Sequence, residues 1–360
     1  MFEKRRNNLK ELLSANEKEF DAVLIESPEN LFYYTGFTGG EAAFLMSVDD
    51  KFTSTCIITD SRYYEQVEKE CPDITLIRLE SQTYMEVFKK LLNSDLTLAA
   101  EDTMSITRYL KFAENIKNVK ICIAGELINR PRMVKDETEL VIIKRAEAIG
   151  DEAFTHILDI IKPGLTENDI ALELEFFMRK QGASKLSFDT IVASGANSSM
   201  PHAQVTDRVI ENGDFVTMDF GCVYKGYCSD MTRTVAVGKP SDEMKKVYDI
   251  VLEANMRAMA GIKEGVKCNE IDSLARDYIR DCGYGEYFGH GLGHGVGLYI
   301  HEEPRFSPKC ETITKENMVI TDEPGIYLPG KFGVRIEDLV VVKKDGCEVL
   351  SHSPKELIII

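Results

Sequence analysis

The sequence predicts an α+β protein of two domains, a mixed-sheet α/β domain followed by a domain made of two related halves. In the first ~125 residues, short apolar runs alternate with amphipathic stretches, which is typical of strands alternating with helices. Later in the chain, a segment that begins at Lys162 recurs 101 residues further on. The length of 360 residues by itself suggests two domains or one large one, since single cores rarely grow beyond about 250–300 residues.

The predicted elements of the first domain come from the positions of these apolar and amphipathic segments. We expect strands at Ala22–Glu26, Ala43–Val48, Cys56–Thr59, Thr75–Leu79, Leu96–Ala100 and Val119–Ala124. We expect helices at Ser61–Glu70, Gln82–Leu92 and Ser105–Ile116. The glycines at 36–40 lack the spacing and the lysine of a phosphate-binding loop, so a turn between strands is the favoured interpretation.

A domain boundary is predicted where Asn129–Lys135 combines a proline with three basic residues. The domains are therefore expected to span residues 1–128 and 129–360. Asp136 and Glu139 have the spacing of a capping box, and the apolar periodicity of Leu140–Ile161 predicts a long helix after it. Gly150 is the place where this helix could break.

The internal repeat aligns Lys162–Gly182 with Lys263–Gly283 without gaps. Six of the 21 aligned positions are identical. Two similar helix starts could coincide by chance, because glycine and asparagine are common there. The alternative, which we favour, is a domain of two related halves, each with two helices followed by strands, and an active site between them.

The charge balance excludes several classes of function. The chain has 43 basic and 60 acidic residues, a net charge of −17, which argues against binding to nucleic acids or anionic membranes. No apolar run approaches the ~18 residues of a membrane span, and the basic residues at 4–6 do not lead into a signal-peptide core. Nine cysteines without paired short spacing indicate neither a disulfide framework nor a cysteine zinc site. We therefore expect a cytoplasmic protein.

Four acidic residues lie in apolar, β-prone surroundings, where a buried carboxylate is costly without a partner. Asp219 and Asp230 flank a predicted hairpin turn at Val223–Gly226, so they are expected to face each other across antiparallel strands. Glu323 and Glu337 repeat the pattern further along the chain. Each acid alone could equally be a residue at a strand end or a turn, but no simple structural rule places all four in such contexts.

A glycine-rich loop holds His290 and His294. Glycines allow close approach of the backbone to a ligand, and a strand is expected to start at Val296–Ile300. His156 and His352 are expected to be structural or solvated. Two aspartates, two glutamates and a histidine would suit two divalent cations, because carboxylates can bridge ions about 3.5–4 Å apart. A water shared by the two ions would have its pKa lowered toward ~7, which generates a hydroxide nucleophile at neutral pH.

Five motifs occur in an order that resembles one known family. They are Met218–Gly221, Tyr227–Thr234, Gly293–Leu298, Thr321–Tyr327 and Arg335–Asp338. The sequence resembles the pita-bread metallopeptidases, in their prolidase and Xaa-Pro aminopeptidase branch. Two further segments, Asn30–Phe37 and Ile58–Tyr63, resemble the creatinase-like N-terminal domain of that branch. The resemblance implies a creatinase-like α/β domain and a pita-bread catalytic domain with duplicated halves.

The resemblance also implies a role for each matching residue. The implied ligands are Asp219 on one metal ion, His294 and Glu323 on the other, and Asp230 and Glu337 bridging both. The implied catalytic residues are His202 near the scissile bond, His301 at the tetrahedral oxyanion, and Glu323 as the proton carrier. The implied pocket for proline is lined by His290, Tyr327 and Arg335.

The implied activity is hydrolysis of the bond between an N-terminal residue and a following proline by a metal-bridging hydroxide. We expect two divalent ions per subunit, most simply Mn²⁺, with Co²⁺ or Zn²⁺ as alternatives. The expected substrates are short peptides with proline at the second position, and the expected assembly is a homodimer. The alternative is an inactive pita-bread module that binds peptides or proteins, disfavoured because all five ligands are kept. Dipeptidase and aminopeptidase remain open. Asp322, where relatives usually carry an apolar or small residue, could face the site or face away.

Overall fold

A computed structural model describes residues 1–49 and 51–360. The chain divides into two compact units, Met1–Arg132 and Met133–Ile360. The sequence prediction placed the boundary between residues 128 and 129, just before a 3₁₀ helix at Arg130–Met133. Across the described residues, the helices are too short or too polar to cross a lipid bilayer.

The first unit is built on a mixed sheet. Its strands are β1 Ala22–Ile25, β2 Ala43–Ser47, β3 Cys56–Thr59, β4 Thr75–Arg78, β5 Leu96–Ala100 and β6 Val119–Ile123. Its helices are α1 Phe2–Ser14, α2 Pro28–Thr35, α3 Tyr64–Glu70, α4 Tyr84–Leu91, α5 Ile106–Asn115 and α6 Gly125–Asn129. The strand order is β4-β3-β2-β1-β5-β6, and β2 pairs antiparallel with both β1 and β3 while the other pairs are parallel.

Helix α2 shows a start and a stop that the sequence analysis did not use. Ser27 caps its N-terminus by accepting a hydrogen bond from the backbone N–H of Asn30 at 3.4 Å, and Pro28 occupies the first turn. Gly36 ends the helix with a left-handed backbone, φ +83°. Serine before proline and glycine after the last turn are ordinary helix boundaries, so this helix was predictable from its ends.

Four helices organise the second unit: α7 Glu137–Leu158, α8 Glu167–Lys180, α9 Asp242–Gly261 and α10 Cys268–Asp281. The predicted capping box is present, because Asp136 and Glu139 exchange side-chain and backbone hydrogen bonds of 2.8 and 2.9 Å. The predicted break near Gly150 is wrong, since α7 continues through it. Gly150 is buried against Met231 and Phe220, and tertiary packing outweighs its weak helix propensity.

The internal repeat is visible in the helices and in the turns around them. Helices α8 and α10 begin and end at residues that are 101 positions apart. Gly164 and Gly265, which precede them, have φ of +97° and +85°, and Gly182 and Gly283, which follow, have φ of +103° and +88°. Helix α7 packs on α8, and α9 packs on α10. The second unit is therefore built from two related halves.

The strands of the second unit form antiparallel sheets. They are β7 Lys185–Leu186, β8 Ile191–Ser194, β9 Phe215–Phe220, β10 Cys222–Tyr224, β11 Tyr227–Cys228, β12 Met231–Ala236, β13 Gly293–Gly295, β14 Glu302–Phe306, β15 Val319–Asp322, β16 Gly325–Leu328, β17 Phe332–Arg335, β18 Asp338–Lys343 and β19 Gly346–Val349. The two larger sheets beside the site have the orders β12-β9-β8 and β14-β13-β15-β18-β19. Strands β16 and β17 form a two-stranded sheet that also borders it.

The prediction of a strand starting at Val296–Ile300 is wrong. Strand β13 ends at Gly295, and its pairing with β14 shifts register between His294 and Gly295. The chain then turns, with the Glu302 carboxylate accepting the backbone N–H of Tyr299 at 3.1 Å. The apolar residues in this segment pack as a loop. The prediction failed because a short apolar run alone does not distinguish a strand from a compact turn.

Candidate metal centre and active site

Two of the predicted ligands are placed by a hairpin. Its turn contains Lys225 and Gly226, which both have positive φ, as a two-residue type I′ turn requires. In the pairing of β9 with β12, Asp219 lies opposite Thr232. Because alternate residues of a strand share a face, Asp230 projects beside Asp219. Both aspartates line the same cavity.

Two glutamates come from the other sheet. Glu323 follows β15 and Glu337 precedes β18, and these strands are paired. The Thr232 hydroxyl donates to the Glu337 carboxylate at 2.6 Å, and the backbone N–H of Glu337 donates to the Thr232 carbonyl at 3.1 Å. These bonds join the chain segment that carries Asp230 to the segment that carries Glu337, although the two segments belong to different sheets.

His294 reaches the same point from β13. This strand packs closely on β15 because Gly293 has no side chain: a Cβ there would lie 1.9 Å from the carbonyl oxygen of Thr321. The His294 Nε2 atom lies 3.4 Å from Asp230 Oδ2 and 3.6 Å from Glu323 Oε1. Its Nδ1 lies 3.2 Å from the carbonyl oxygen of Gly295. Burial lowers the pKa of His294 to about 3, so the ring is neutral, Nδ1–H donates to the carbonyl, and the Nε2 lone pair faces the carboxylates.

This donor set fits divalent cations. Ligand atoms of Asp230, His294 and Glu337 all lie within 4.8 Å of one another. Asp219 Oδ1 is buried and has no hydrogen-bond partner among the described residues, which is costly for a carboxylate unless a cation is nearby. Burial, and then the Glu337 and Asp219 carboxylates, raise the pKa of Asp230 well above its usual range. Oxygen-rich sites with one imidazole suit hard to borderline metal ions.

Arg335 is held to a ligand of this cluster as well as to the cavity wall. Its guanidinium donates to Asp219 Oδ2 at 2.6 Å, to the Tyr327 hydroxyl at 2.8 Å and to the Thr232 hydroxyl at 3.0 Å. The Tyr327 oxygen lies 3.0 Å from His290 Nε2. Burial lowers the pKa of His290 to about 4, so the neutral His290 ring accepts a hydrogen bond from the Tyr327 hydroxyl. The sequence analysis placed these three residues in a proline pocket and missed the bond between Arg335 and Asp219.

All predicted site residues line one cavity of about 480 Å³. They are His202, Asp219, Asp230, His290, His294, His301, Glu323, Tyr327, Arg335 and Glu337. His202 and His301 are exposed, and the His301 ring lies 4.5 Å from the ring of His294. The lining also contains Phe188, Ile191 and Arg305, which the sequence analysis missed. Arg305 could have been found, because it lies on the strand directly after His301.

Comparison with known proteins shows the family of this chain. Residues 141–344 match the model of metallopeptidase family M24, and residues 5–134 match the creatinase/prolidase N-terminal domain. The chain belongs to metallopeptidase family M24. The group formed by Asp230, His294 and Glu337 is compatible with a metal site of this family. The predicted creatinase-like and pita-bread architecture is confirmed.

Three relatives show how far this M24 similarity extends. An Xaa-Pro dipeptidase from Bacillus anthracis has 43% identity and a TM-score of 0.95, with 100% of both chains covered. An X-Pro aminopeptidase from Thermotoga maritima has 42% identity and a TM-score of 0.86, covering 95% of this chain and 98% of the other. An Xaa-Pro dipeptidase from Pyrococcus furiosus is 39% identical over 345 residues, 95% of this chain and 97% of that protein.

The loop that carries His202 is fixed by a buried acid that the sequence analysis did not single out. Glu167, on α8, accepts the backbone N–H of Ser194 at 2.6 Å and that of Thr206 at 3.1 Å. It also accepts the side-chain amide of Asn197 at 3.2 Å. Residues on both sides of His202 are thus tied to one carboxylate, which holds the exposed histidine at the cavity.

Asp322 faces away from the cavity of this M24 metallopeptidase, which resolves the alternative left open by the sequence. It lies opposite Asp338 in the pairing of β15 with β18. Asp338 is bound by Arg233, Asn255 and Lys355, whereas neither carboxylate oxygen of Asp322 has a hydrogen-bond partner among the described residues. Burial, and then the Asp338 carboxylate, raise the pKa of Asp322 well above its usual range.

Replacing Asp322 with valine is therefore expected to raise the free energy of unfolding by about 1–3 kcal/mol, because a buried polar group without partners is removed. Denaturant unfolding of the metal-free protein measures this change. Asp338→Val is the matched control and is expected to destabilise, because it leaves Arg233 buried without its carboxylate. A loss of stability in Asp322→Val equal to that of the control would contradict this account.

Metal uptake by this M24 metallopeptidase is expected to release protons at pH 7. Burial raises the pKa of Glu323 from 4.5 to about 8, and metal ions bind the deprotonated carboxylate. An acid whose pKa is raised in the folded state keeps its proton to a higher pH in the folded chain than in the unfolded chain. The metal-free protein therefore loses stability as the pH rises from about 4.5 to about 8. Calorimetric titration with Mn²⁺ in buffers of different ionisation enthalpy measures the protons released. An identical heat in all buffers at pH 7 would contradict this prediction.

Proposed function

We propose that this protein is an exopeptidase that hydrolyses the bond between an N-terminal residue and a following proline. The observation that carries the proposal is the cluster of four carboxylates and one imidazole in the cavity. Within this cluster Asp219 keeps a buried oxygen that has no hydrogen-bond partner in the described part of the chain. Similarity to the Xaa-Pro dipeptidases of Bacillus anthracis and Pyrococcus furiosus supports the substrate class.

The proposed cofactor is a pair of divalent ions per subunit. Asp219 would hold one ion, His294 and Glu323 the other, and Asp230 and Glu337 both. Mn²⁺ suits a donor set of four carboxylates and one imidazole best, with Co²⁺ or Zn²⁺ as alternatives. When bound, such ions polarise a substrate carbonyl and acidify water.

The chain's own residues would position the substrate and move the proton. The Glu323 carboxylate, oriented by the Thr321 hydroxyl at 3.3 Å, is the proposed carrier that takes a proton from the attacking water and delivers it to the proline nitrogen as the C–N bond breaks. His202 and His301 are exposed at the same cavity. There His202 would contact the substrate near the scissile bond, and His301 would donate to the oxygen that gains charge.

Proline as the leaving residue fits the chemistry of the cavity. A peptide bond to proline is a tertiary amide without an N–H group, so recognition has to come from the shape of the ring and from the two ends of the peptide. The rings of His290 and Tyr327 offer a pre-ordered wall for a rigid pyrrolidine, since a hydrogen bond of 3.0 Å joins them. Holding both ends of the scissile bond lowers the entropic cost of reaction.

Arg305 favours the dipeptidase form of this proposal. Arg305 lines the cavity, and its Nε atom lies 4.0 Å from the Glu303 carboxylate, too far for a strong ion pair. It can therefore face the free carboxylate of a dipeptide substrate. In a longer peptide the C-terminal carboxylate would lie further away.

The proposed function is tested by release of the N-terminal residue from an Xaa-Pro dipeptide and an Xaa-Pro-Yaa tripeptide, run side by side in Mn²⁺. Faster cleavage of the dipeptide supports a dipeptidase. Faster cleavage of the tripeptide supports an aminopeptidase and removes the proposed role of Arg305. If neither peptide is cleaved while Mn²⁺ is bound, the proposal fails and the inactive binding module takes its place.

Two further parts of the proposal concern assembly and location. We expect a homodimer, which sedimentation at working concentration would contradict by finding a monomer. We also expect a cytoplasmic protein. All nine cysteine thiols are free in the structure, as is usual in a reducing compartment.

A further inference from the structure

Glu147 is a buried acid on α7 that lies outside the metal-ligand set and outside the cavity lining. Its side chain is fully inaccessible to solvent. One carboxylate oxygen, Oε2, accepts the backbone N–H of Asp230 at 3.2 Å. The other, Oε1, accepts the hydroxyl of Ser351 at 2.6 Å. Glu147 therefore contacts the main chain of one of the two proposed bridging ligands.

The second bridging ligand is reached through Ser351. The Ser351 oxygen accepts the backbone N–H of Leu339 at 2.8 Å, and Leu339 lies two residues after Glu337. A continuous series of hydrogen bonds thus runs from Asp230 through Glu147 and Ser351 to Leu339. The segments that carry the two bridging carboxylates, which belong to different sheets, are tied to one side chain.

Fold stability alone does not account for an acid at this position. The carboxyl group of Glu147 is fully buried, and burying such a polar group costs free energy that an apolar side chain does not cost. The nearby buried guanidinium of Arg233 donates instead to Asp338 and to the carbonyl oxygens of Ser353 and Glu337. An apolar residue on this helix face would fill the core without that penalty.

We propose that Glu147 is a positioning residue that sets the spacing of Asp230 and Glu337 and thereby the affinity of the protein for divalent ions. The inference rests on the proposed function, because it takes these two residues as the bridging ligands. Residues behind the ligands of metal sites commonly act in this way, and their loss typically weakens metal binding about 10- to 100-fold.

The test is calorimetric titration of the chelator-stripped full chain with Mn²⁺. Glu147→Ala and Ser351→Ala are each expected to raise the Mn²⁺ dissociation constant about tenfold or more. The double variant is expected to bind no more weakly than Glu147→Ala, because the two side chains act in one series. Glu147→Gln is expected to restore near-wild-type affinity. Its amide oxygen can accept from Asp230 while its amide nitrogen donates to Ser351.

Glu167→Ala is the matched control. Glu167 is also fully buried and also accepts backbone N–H groups, but it holds the His202 loop. This variant is expected to lower kcat/KM with an unchanged Mn²⁺ dissociation constant. An unchanged dissociation constant in both Glu147→Ala and Ser351→Ala would overturn the inference, and Ser351→Ala decides alone if Glu147→Ala does not fold. If the wild-type protein binds Mn²⁺ but cleaves no Xaa-Pro peptide, the proposed function fails while the Mn²⁺ titrations still decide this inference.

Discussion

Replacing Asp230 with asparagine is expected to abolish metal-dependent peptide hydrolysis and to leave the fold intact. Asp230 is 4% exposed and lies 3.4 Å from His294 Nε2, at the centre of the donor set. A neutral amide bridges cations poorly, and the electrostatic contribution of a catalytic metal is several kcal/mol. We therefore expect kcat/KM to fall by about 10³-fold or more.

The same substitution is expected to raise the stability of the metal-free protein. Burial and the carboxylates of Glu337 and Asp219 raise the pKa of Asp230, so the folded chain is penalised for its charge above neutral pH. Thermal unfolding in chelator at pH 8 measures this effect. Asp277→Asn, an exposed acid paired with Arg280, is the control and should change neither property. Wild-type turnover in Asp230→Asn would contradict the proposed metal centre.

Replacing Arg335 with methionine is expected to have the largest effect on stability. The substitution removes the guanidinium that donates to Asp219 at 2.6 Å and leaves this carboxylate buried without compensation. Breaking a buried ion pair by removing one partner costs about 3–5 kcal/mol. We also expect about a 10²-fold loss of kcat/KM, since a ligand that has lost its supporting hydrogen bond binds metal less well. Denaturant unfolding in chelator and steady-state kinetics in Mn²⁺ measure the two effects.

Arg335→Lys separates charge from geometry. Lysine keeps the positive charge but cannot donate at once to Asp219, Tyr327 and Thr232, as the planar guanidinium does. Its stability and activity should lie between those of the wild type and Arg335→Met. Arg280→Met, on the exposed face of α10, is the control for losing an arginine. Wild-type stability in Arg335→Met would show that the buried pair is not needed.

The donor set could be predicted because its signals are local. Asp219 and Asp230 flank a hairpin whose Lys225–Gly226 turn fixes their register, and both lie where an acid is unusual among apolar residues. The two related halves could be predicted from the repeat, because glycines occupy corresponding turns in both copies. The identity of the histidine ligand, and each residue's role, came from resemblance to a family.

The supporting contacts could not be predicted, because they join distant parts of the chain. Glu147 meets Ser351 across 204 residues, and Arg335 meets Asp219 across 116. No periodicity in a sequence records such a pair. The orientation of Asp322 was open for a related reason, since strand β15 ends at that residue and the side on which it lies depends on its pairing with β18.

This M24 metallopeptidase is expected to need the metal centre in its cavity to cleave a bond to proline. This requirement is tested most directly by measuring hydrolysis of one Xaa-Pro dipeptide by the chelator-stripped protein before and after Mn²⁺ is added back. We expect the stripped protein to be inactive and full activity to return as two ions bind per chain. Hydrolysis that is unaffected by stripping, or absent after Mn²⁺ has bound, would contradict the account.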